Sequence, residues 1–152
     1  MPEKRTITRA RKDKRQGKAP GTQAGEFVRE EMEHIRGGKH GARSAKQAIA
    51  IGLSKARRAG VKLRPPKKGE ASTQTRHRAK RDYAKGQSGI RKRSSIKRSN
   101  AGLKALRREG HSAASHSALS RQVRSNVRRR SAGRRPVAAK RVSHPHAKSN
   151  QR

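Results

Sequence analysis

The residues most able to do chemistry in this 152-residue chain are its cations: 44 Lys and Arg face 9 Asp and Glu, a formal net charge of +35. An Arg guanidinium is a planar fork of donors that grips a phosphate bidentately, whereas Lys acts as a point charge. From residue 65 onward, 26 basic residues, 17 of them Arg, face 3 acids, with Ser, Gly and Asn interleaved. That composition predicts phosphate binding, because so much unopposed charge repels itself without a polyanion. The candidate contacts in the first half are Lys39, Arg43, Lys46, Lys55, Arg57, Arg58 and Lys62. In the second half they are Arg76, Arg78, Lys80, Arg81, Arg91, Lys92, Arg93, Arg121, Arg124, Arg128, Arg129, Arg130, Arg134 and Arg135.

Other chemistry is thinly represented. The only acidic cluster is Glu26, Glu30, Glu31 and Glu33. On a helix Glu30 neighbours both Glu26 and Glu33, which mimics a paired-acid site. A solvated face, or an intramolecular partner for the basic tail, is the expected role. The seven His are His34, His40, His77, His111, His116, His144 and His146. His144-Pro145-His146 comes nearest to a metal pair but has no carboxylate nearby, so neither metal nor cofactor is expected. With no Cys, thiol catalysis, disulfides and Cys-based zinc sites are excluded. No nucleophile–base pairing is visible, and the loop after residue 36 does not match GxxxxGK[ST]; an enzyme is not expected. Phe27 and Tyr83 are the only aromatics, too few for a base-stacking platform. Without RNP aromatics, Cys2His2 spacing or long heptads, what remains is sequence-tolerant contact with backbone phosphates.

The elements that must hold these residues sort by charge. Residues 1–25, with 8 basic and 2 acidic residues, read as a disordered basic arm. Residues 26–64 hold four acids and the large apolar side chains Phe27, Val28, Met32, Ile35, Ile49, Ile51, Leu53, Val61 and Leu63. Helical spacing predicts one helix over 26–36, with Glu26 in its first turn, stopped by Gly37-Gly38. A second is predicted over about 44–59: Ser44 and Gln47 fit a capping box, and Gly60 with Val61 fits a Schellman stop. The expected fold is small and all-α, a helical hairpin marginal alone and completed by a tail helix, by the polyanion or by self-association through Ile49, Leu53 and Ala56.

Residues 65–74 read as a Pro/Lys/Gly linker and 75–130 as a weakly helical basic tail. Thr75 would cap one tail helix and Asn100 another, and Leu119, Val123 and Val127 form a stripe on a third. Residues 131–152 read as a disordered basic end. No stretch approaches the ~20 apolar residues of a membrane span. The basic N-terminus lacks the apolar region of a secretory signal, which predicts a chain that stays where it is made.

Lys46-Gln47-Ala48-Ile49-Ala50-Ile51-Gly52-Leu53-Ser54-Lys55-Ala56-Arg57-Arg58-Ala59-Gly60 resembles the KQAIAIGLSxARRAG signature of a functionally uncharacterised family of small basic bacterial proteins. The resemblance spans about Glu26 to Leu63, and residues 112–122 are similar to a second element of longer members. Some members carry names such as plasmid stabilisation protein or DNA-binding protein. The resemblance implies a bacterial cytoplasmic or nucleoid setting and carries over no site residues.

The expected function is nucleic-acid binding, duplex DNA ahead of RNA, by phosphate neutralisation in nucleoid or plasmid maintenance. The alternative is a structural RNA-associated protein, ribosome-linked or RNA-chaperone-like, because such extensions share this composition.

Overall fold

A computed structural model describes residues 2–89 and 95–134 and contains only helices and connecting loops. Six α-helices follow in order: α1 (Lys4–Arg15), α2 (Pro20–Arg36), α3 (Ala45–Arg58), α4 (Thr73–Gln87), α5 (Ile96–Arg107) and α6 (His116–Arg134). A one-turn 3-10 helix, Ser112–Ala114, precedes α6. The small all-α expectation therefore stands.

The hairpin of α2 and α3 is the centre of the molecule. Phe27 in the middle of α2 meets Ala56 near the end of α3, while Met32 and Ile35 near the end of α2 meet Ala48 near the start of α3, so the two helices run antiparallel. They approach closely at Gly52, where a Cβ would sit 2.7 Å from the Val28 Cα. Only glycine fits there. At the end of α3, Gly60 adopts φ +93°; its N–H donates to the Arg57 carbonyl, and the Val61 N–H to that of Ala56. Those are the two bonds of the expected Schellman motif.

The N-terminal segment departs from the expected disordered arm. Residues 4–15 form α1, which docks on α2 through Thr6, Ile7, Ala10 and Asp13. The stripe escapes a search for large apolar residues because three of its four members are small or polar. Lys18 Nζ, 2.7 Å away, compensates the buried Asp13 carboxylate. Helix α2 likewise starts at Pro20 rather than Glu26, with proline at N1, where its missing N–H costs nothing.

Two hydrophobic clusters flank the hairpin. One joins Ala10, Ala24, Phe27, Ala56 and Val61, with Ile7, Leu53 and Leu63 at its edge. The other joins Met32, Ile35, Ala42, Ala48, Ala113 and Ala114, with Val28, Ile49 and Leu119 alongside. Helix α1 and the 3-10/α6 segment thus complete the core from opposite ends of the sequence. The Ile49–Leu53–Ala56 face, for which self-association is one of the expected uses, packs within the chain, with Ala56 buried and Ile49 and Leu53 partly buried.

The tail helices also start earlier than expected. Ser72, not Thr75, caps α4, its Oγ accepting from the Thr75 N–H, so the linker yields its last two residues to the helix. Helix α5 starts after Ser95 rather than Asn100. Helix α6 continues through residues 131–134, past the expected boundary at 130. Of its apolar stripe only Leu119 docks, and Val123 and Val127 remain about 60% exposed (61% and 59%).

Candidate nucleic-acid interface

The four glutamates of α2 divide by burial. Glu33 is exposed and Glu26 half-buried, paired with Arg9 and Arg29 at 3.7 and 3.8 Å. Glu30 and Glu31 are buried, against the expectation of a solvated face. Their partner is not the basic tail. Lys55 reaches across from α3 to both carboxylates, 3.7 Å from Glu30 Oε1 and in contact with Glu31 Oε2. Glu30 also accepts a hydrogen bond from the Glu3 backbone N–H at 3.2 Å, which fixes the start of α1 on the hairpin. The Glu3 carboxylate accepts from His34 Nε2 at 2.8 Å and Lys39 Nζ at 2.9 Å. These two bonds, His34 first, hold its carboxyl near pKa 2, well below the usual range.

The core and its carboxylates engage several of the expected phosphate contacts internally. Lys55 is enclosed beside the carboxylates, and Lys39 is tied to Glu3. Arg57 is buried, its Nε donating to the Leu63 carbonyl at 3.2 Å, and burial lowers its pKa. Arg58 is exposed but leans toward Asp82 of α4 at 3.9 Å, while Asp82 accepts from Ser54 Oγ at 2.6 Å. Of the expected first-half contacts, Arg43, Lys46 and Lys62 remain exposed without an ion pair among the described residues; Lys4, Arg5, Arg11, Lys12, Lys14 and Arg15 of α1, which are not among them, are exposed and unpaired as well.

The second half is different. On α4, Ala79 is buried against the hairpin side while Arg78, Lys80 and Arg81 are exposed and Arg76 is partly covered. On α6, Arg121, Arg124, Arg128 and Arg129 are all exposed, and with Val123 and Val127 they line a shallow hollow. Among the described residues, no Arg of α5 or α6 takes part in an ion pair. Arg130 and Arg134 belong to α6; Arg91, Lys92, Arg93 and Arg135 lie outside the described residues, as does the His144–His146 pair.

One groove brings the two halves together. Arg43, Ser44 and Ala45 at the start of α3 face Ser112, Ala113, Arg121, Gln122 and Ser125. Arg43 and Arg121, 78 positions apart in sequence, are the two cations along it. The capping groups here are already engaged: Ser44 Oγ accepts from the Gln47 N–H at 3.2 Å, and Gln47 Oε1 from the Arg43 N–H at 3.0 Å. The second bond goes one residue earlier than the expected capping box. A phosphate at this helix start would depend on the remaining N–H groups and the two arginines.

The loop between α2 and α3 holds the tail in register. The Gly41 N–H donates to the Leu106 carbonyl at 2.9 Å, and the Ala42 N–H to that of Gly110 at 3.0 Å. A Cβ on Gly41 would lie 1.9 Å from the Glu109 carbonyl oxygen. Arg36, which the charge pattern did not single out, adds a hydrogen bond from Nε to the Ala114 carbonyl at 2.9 Å. The cluster of Glu31, His34 and His40 was also missed. Its sequence signal is the Glu-x-x-His spacing, which puts both side chains on one helix face.

Residues 5–68 match a family described as a family of unknown function (DUF6496). The matched stretch begins well before Glu26 and takes in nearly all of α1 as well as α2 and α3, the unit the buried contacts define. Comparison with curated proteins and with solved structures yields no match.

Proposed function

We propose that the protein binds nucleic acid, duplex DNA ahead of RNA, by sequence-tolerant neutralisation of backbone phosphates. The observation that carries this reading is the segregation of charge. Apart from the exposed Glu33, the carboxylates of the α1–α3 unit are buried or paired, while α6 presents four exposed arginines without an acid among them. The α1–α3 unit then serves as the base from which α4 and α6 project phosphate-binding side chains. A bacterial setting, with a part in nucleoid organisation or plasmid maintenance, follows from the resemblance of the α3 sequence. No helix among the described residues is long and apolar enough to cross a membrane.

The test is a salt titration of affinity for a mixed-sequence DNA duplex and an RNA duplex of the same sequence. Neutralising six or more phosphates predicts a loss of about three decades or more in affinity between 50 and 200 mM salt. A flat salt response would overturn the proposal. Tighter binding to the RNA duplex, with equal salt dependence, would move the assignment to structured RNA.

A further inference from the structure

We propose that Glu31, His34 and His40 form a binding site for a divalent transition-metal ion of the zinc class. An oxygen of Glu31 and a ring nitrogen from each histidine lie within 4.8 Å of one another. Tetrahedral zinc with bonds of about 2.0–2.1 Å needs ligand atoms about 3.3 Å apart, so a modest inward closure completes the set. Two imidazoles and a carboxylate are a donor set suited to zinc and its neighbours.

The surroundings point to a cation at this position. Glu31 is fully buried and neither carboxylate oxygen has a hydrogen bond. Its two oxygens face different partners: Oε2 meets Lys55, and Oε1 lies 3.2 Å from His40 Nε2. On the far side of the same ring, His40 Nδ1 lies 3.1 Å from the Gly41 carbonyl oxygen. A proton on Nδ1 donates to that carbonyl and leaves the Nε2 lone pair aimed at an anionic oxygen. This is the tautomer and the outer hydrogen bond by which proteins orient a ligating histidine. In that tautomer the Nε2 lone pair and Glu31 Oε1 face each other at 3.2 Å, an arrangement that a bound metal ion satisfies. Lys55 answers only one of the two carboxylate charges of Glu30 and Glu31. His34, one helical turn beyond Glu31, brings the third donor, its ring 5.9 Å from that of His40 and nearly perpendicular to it. The fourth position of a tetrahedral ion would fall to solvent.

The ion would clamp the α2–α3 loop onto α2. That loop carries the Gly41 and Ala42 hydrogen bonds to the tail, so metal would stiffen the junction between the two halves.

The test is titration of the full chain, freed of metal by a chelator, with Co²⁺, followed by displacement with Zn²⁺. A saturable visible absorption at one equivalent is expected, together with a rise in Tm on adding Zn²⁺. Substitutions H34Q and H40Q should each weaken Co²⁺ affinity by about tenfold or more. The double substitution H144Q/H146Q should leave it unchanged. Should H34Q or H40Q not fold, long-range ¹H–¹⁵N spectra of the unsubstituted chain decide the matter, because zinc must shift the ring nitrogens of His34 and His40. No saturable binding would overturn the proposal. So would binding that survives H34Q and H40Q in folded protein, or that leaves those ring nitrogens unmoved.

Discussion

The α1–α3 unit and the α4–α6 tail are built from similar alphabets, rich in Lys, Arg, Ala and Ser, yet they treat charge in opposite ways. In α1–α3 the carboxylates are drawn inward: Asp13, Glu30 and Glu31 are buried, each with a Lys within 4 Å. In the tail, α4 touches the core through Ala79 and Asp82, and α6 through Leu119, while the arginines stay outside. The difference teaches that net charge alone does not locate a binding surface. A cation beside a buried acid belongs to the fold, and Lys55, enclosed against Glu30 and Glu31, and Lys46, exposed and unpaired on the same helix, show that the same residue type can fall on either side of that line. The opposing surface is the one where cations outnumber every internal partner.

Lys55→Met tests that division most severely. The substitution takes from Glu30 and Glu31 the lysine they share in the interior, and breaking a buried pair in this way costs about 3–5 kcal/mol. Against a typical domain stability of about 5–15 kcal/mol, the helical signal should melt at a much lower temperature. Low-salt DNA binding should persist, because the tail arginines are untouched. A normal melting curve with weakened DNA binding would reverse the assignment and return Lys55 to the interface.

The complementary change is R121Q/R124Q/R128Q/R129Q. All four side chains are exposed, so circular-dichroism melting should be nearly unaffected. Each phosphate contact removed lowers the log–log salt slope by about 0.9, a total of about 3 to 4. An unchanged slope would show that α6 is not the contact surface.

These two variants also mark what the sequence could reveal. Helix α3 was legible nearly to the residue, because Ser44, Gln47, Gly60 and the Ile49–Leu53–Ala56 face are local signals that agree with one another. Helix α1 was not, since its docking stripe of Thr6, Ala10 and Asp13 becomes apolar in effect only when Lys18 neutralises Asp13 and α2 covers both. The inward turn of Glu30 and Glu31 was equally hidden, because it depends on Lys55 arriving from another helix. Exposed tail arginines needed no such partner, and their exposure followed from the lack of apolar neighbours. The groove joining Arg43 to Arg121 arises from long-range docking, which no window of sequence contains.

Gly41→Ala probes the seam between the two regions. Its Cβ would collide with the Glu109 carbonyl, and relieving that contact separates the loop from the end of α5. Overpacking of this kind costs about 1–3 kcal/mol. Amide exchange should accelerate at Gly110, Ala113 and Ala114, while amides around Phe27 and Ala56, in the other hydrophobic cluster, keep their protection. Equal acceleration at both places would mean that core and tail unfold as one unit.

Ser44→Ala has the smallest expected effect and gives the finest distinction. Ser44 lies both in the α3 cap and in the groove beside Arg43 and Arg121. If its hydroxyl serves the fold alone, losing the bond to the Gln47 N–H costs about 1 kcal/mol in a denaturant melt and leaves the DNA salt slope unchanged. If a phosphate is held at the helix start through that hydroxyl, affinity falls as well. The observed geometry favours the first outcome. Ser44 Oγ already accepts from Gln47, and the Gln47 side chain turns back to Arg43, so the cap is satisfied without a ligand. Loss of stability without loss of affinity would place the boundary between fold and binding surface inside this groove, between Ser44 on one side and the two arginines on the other.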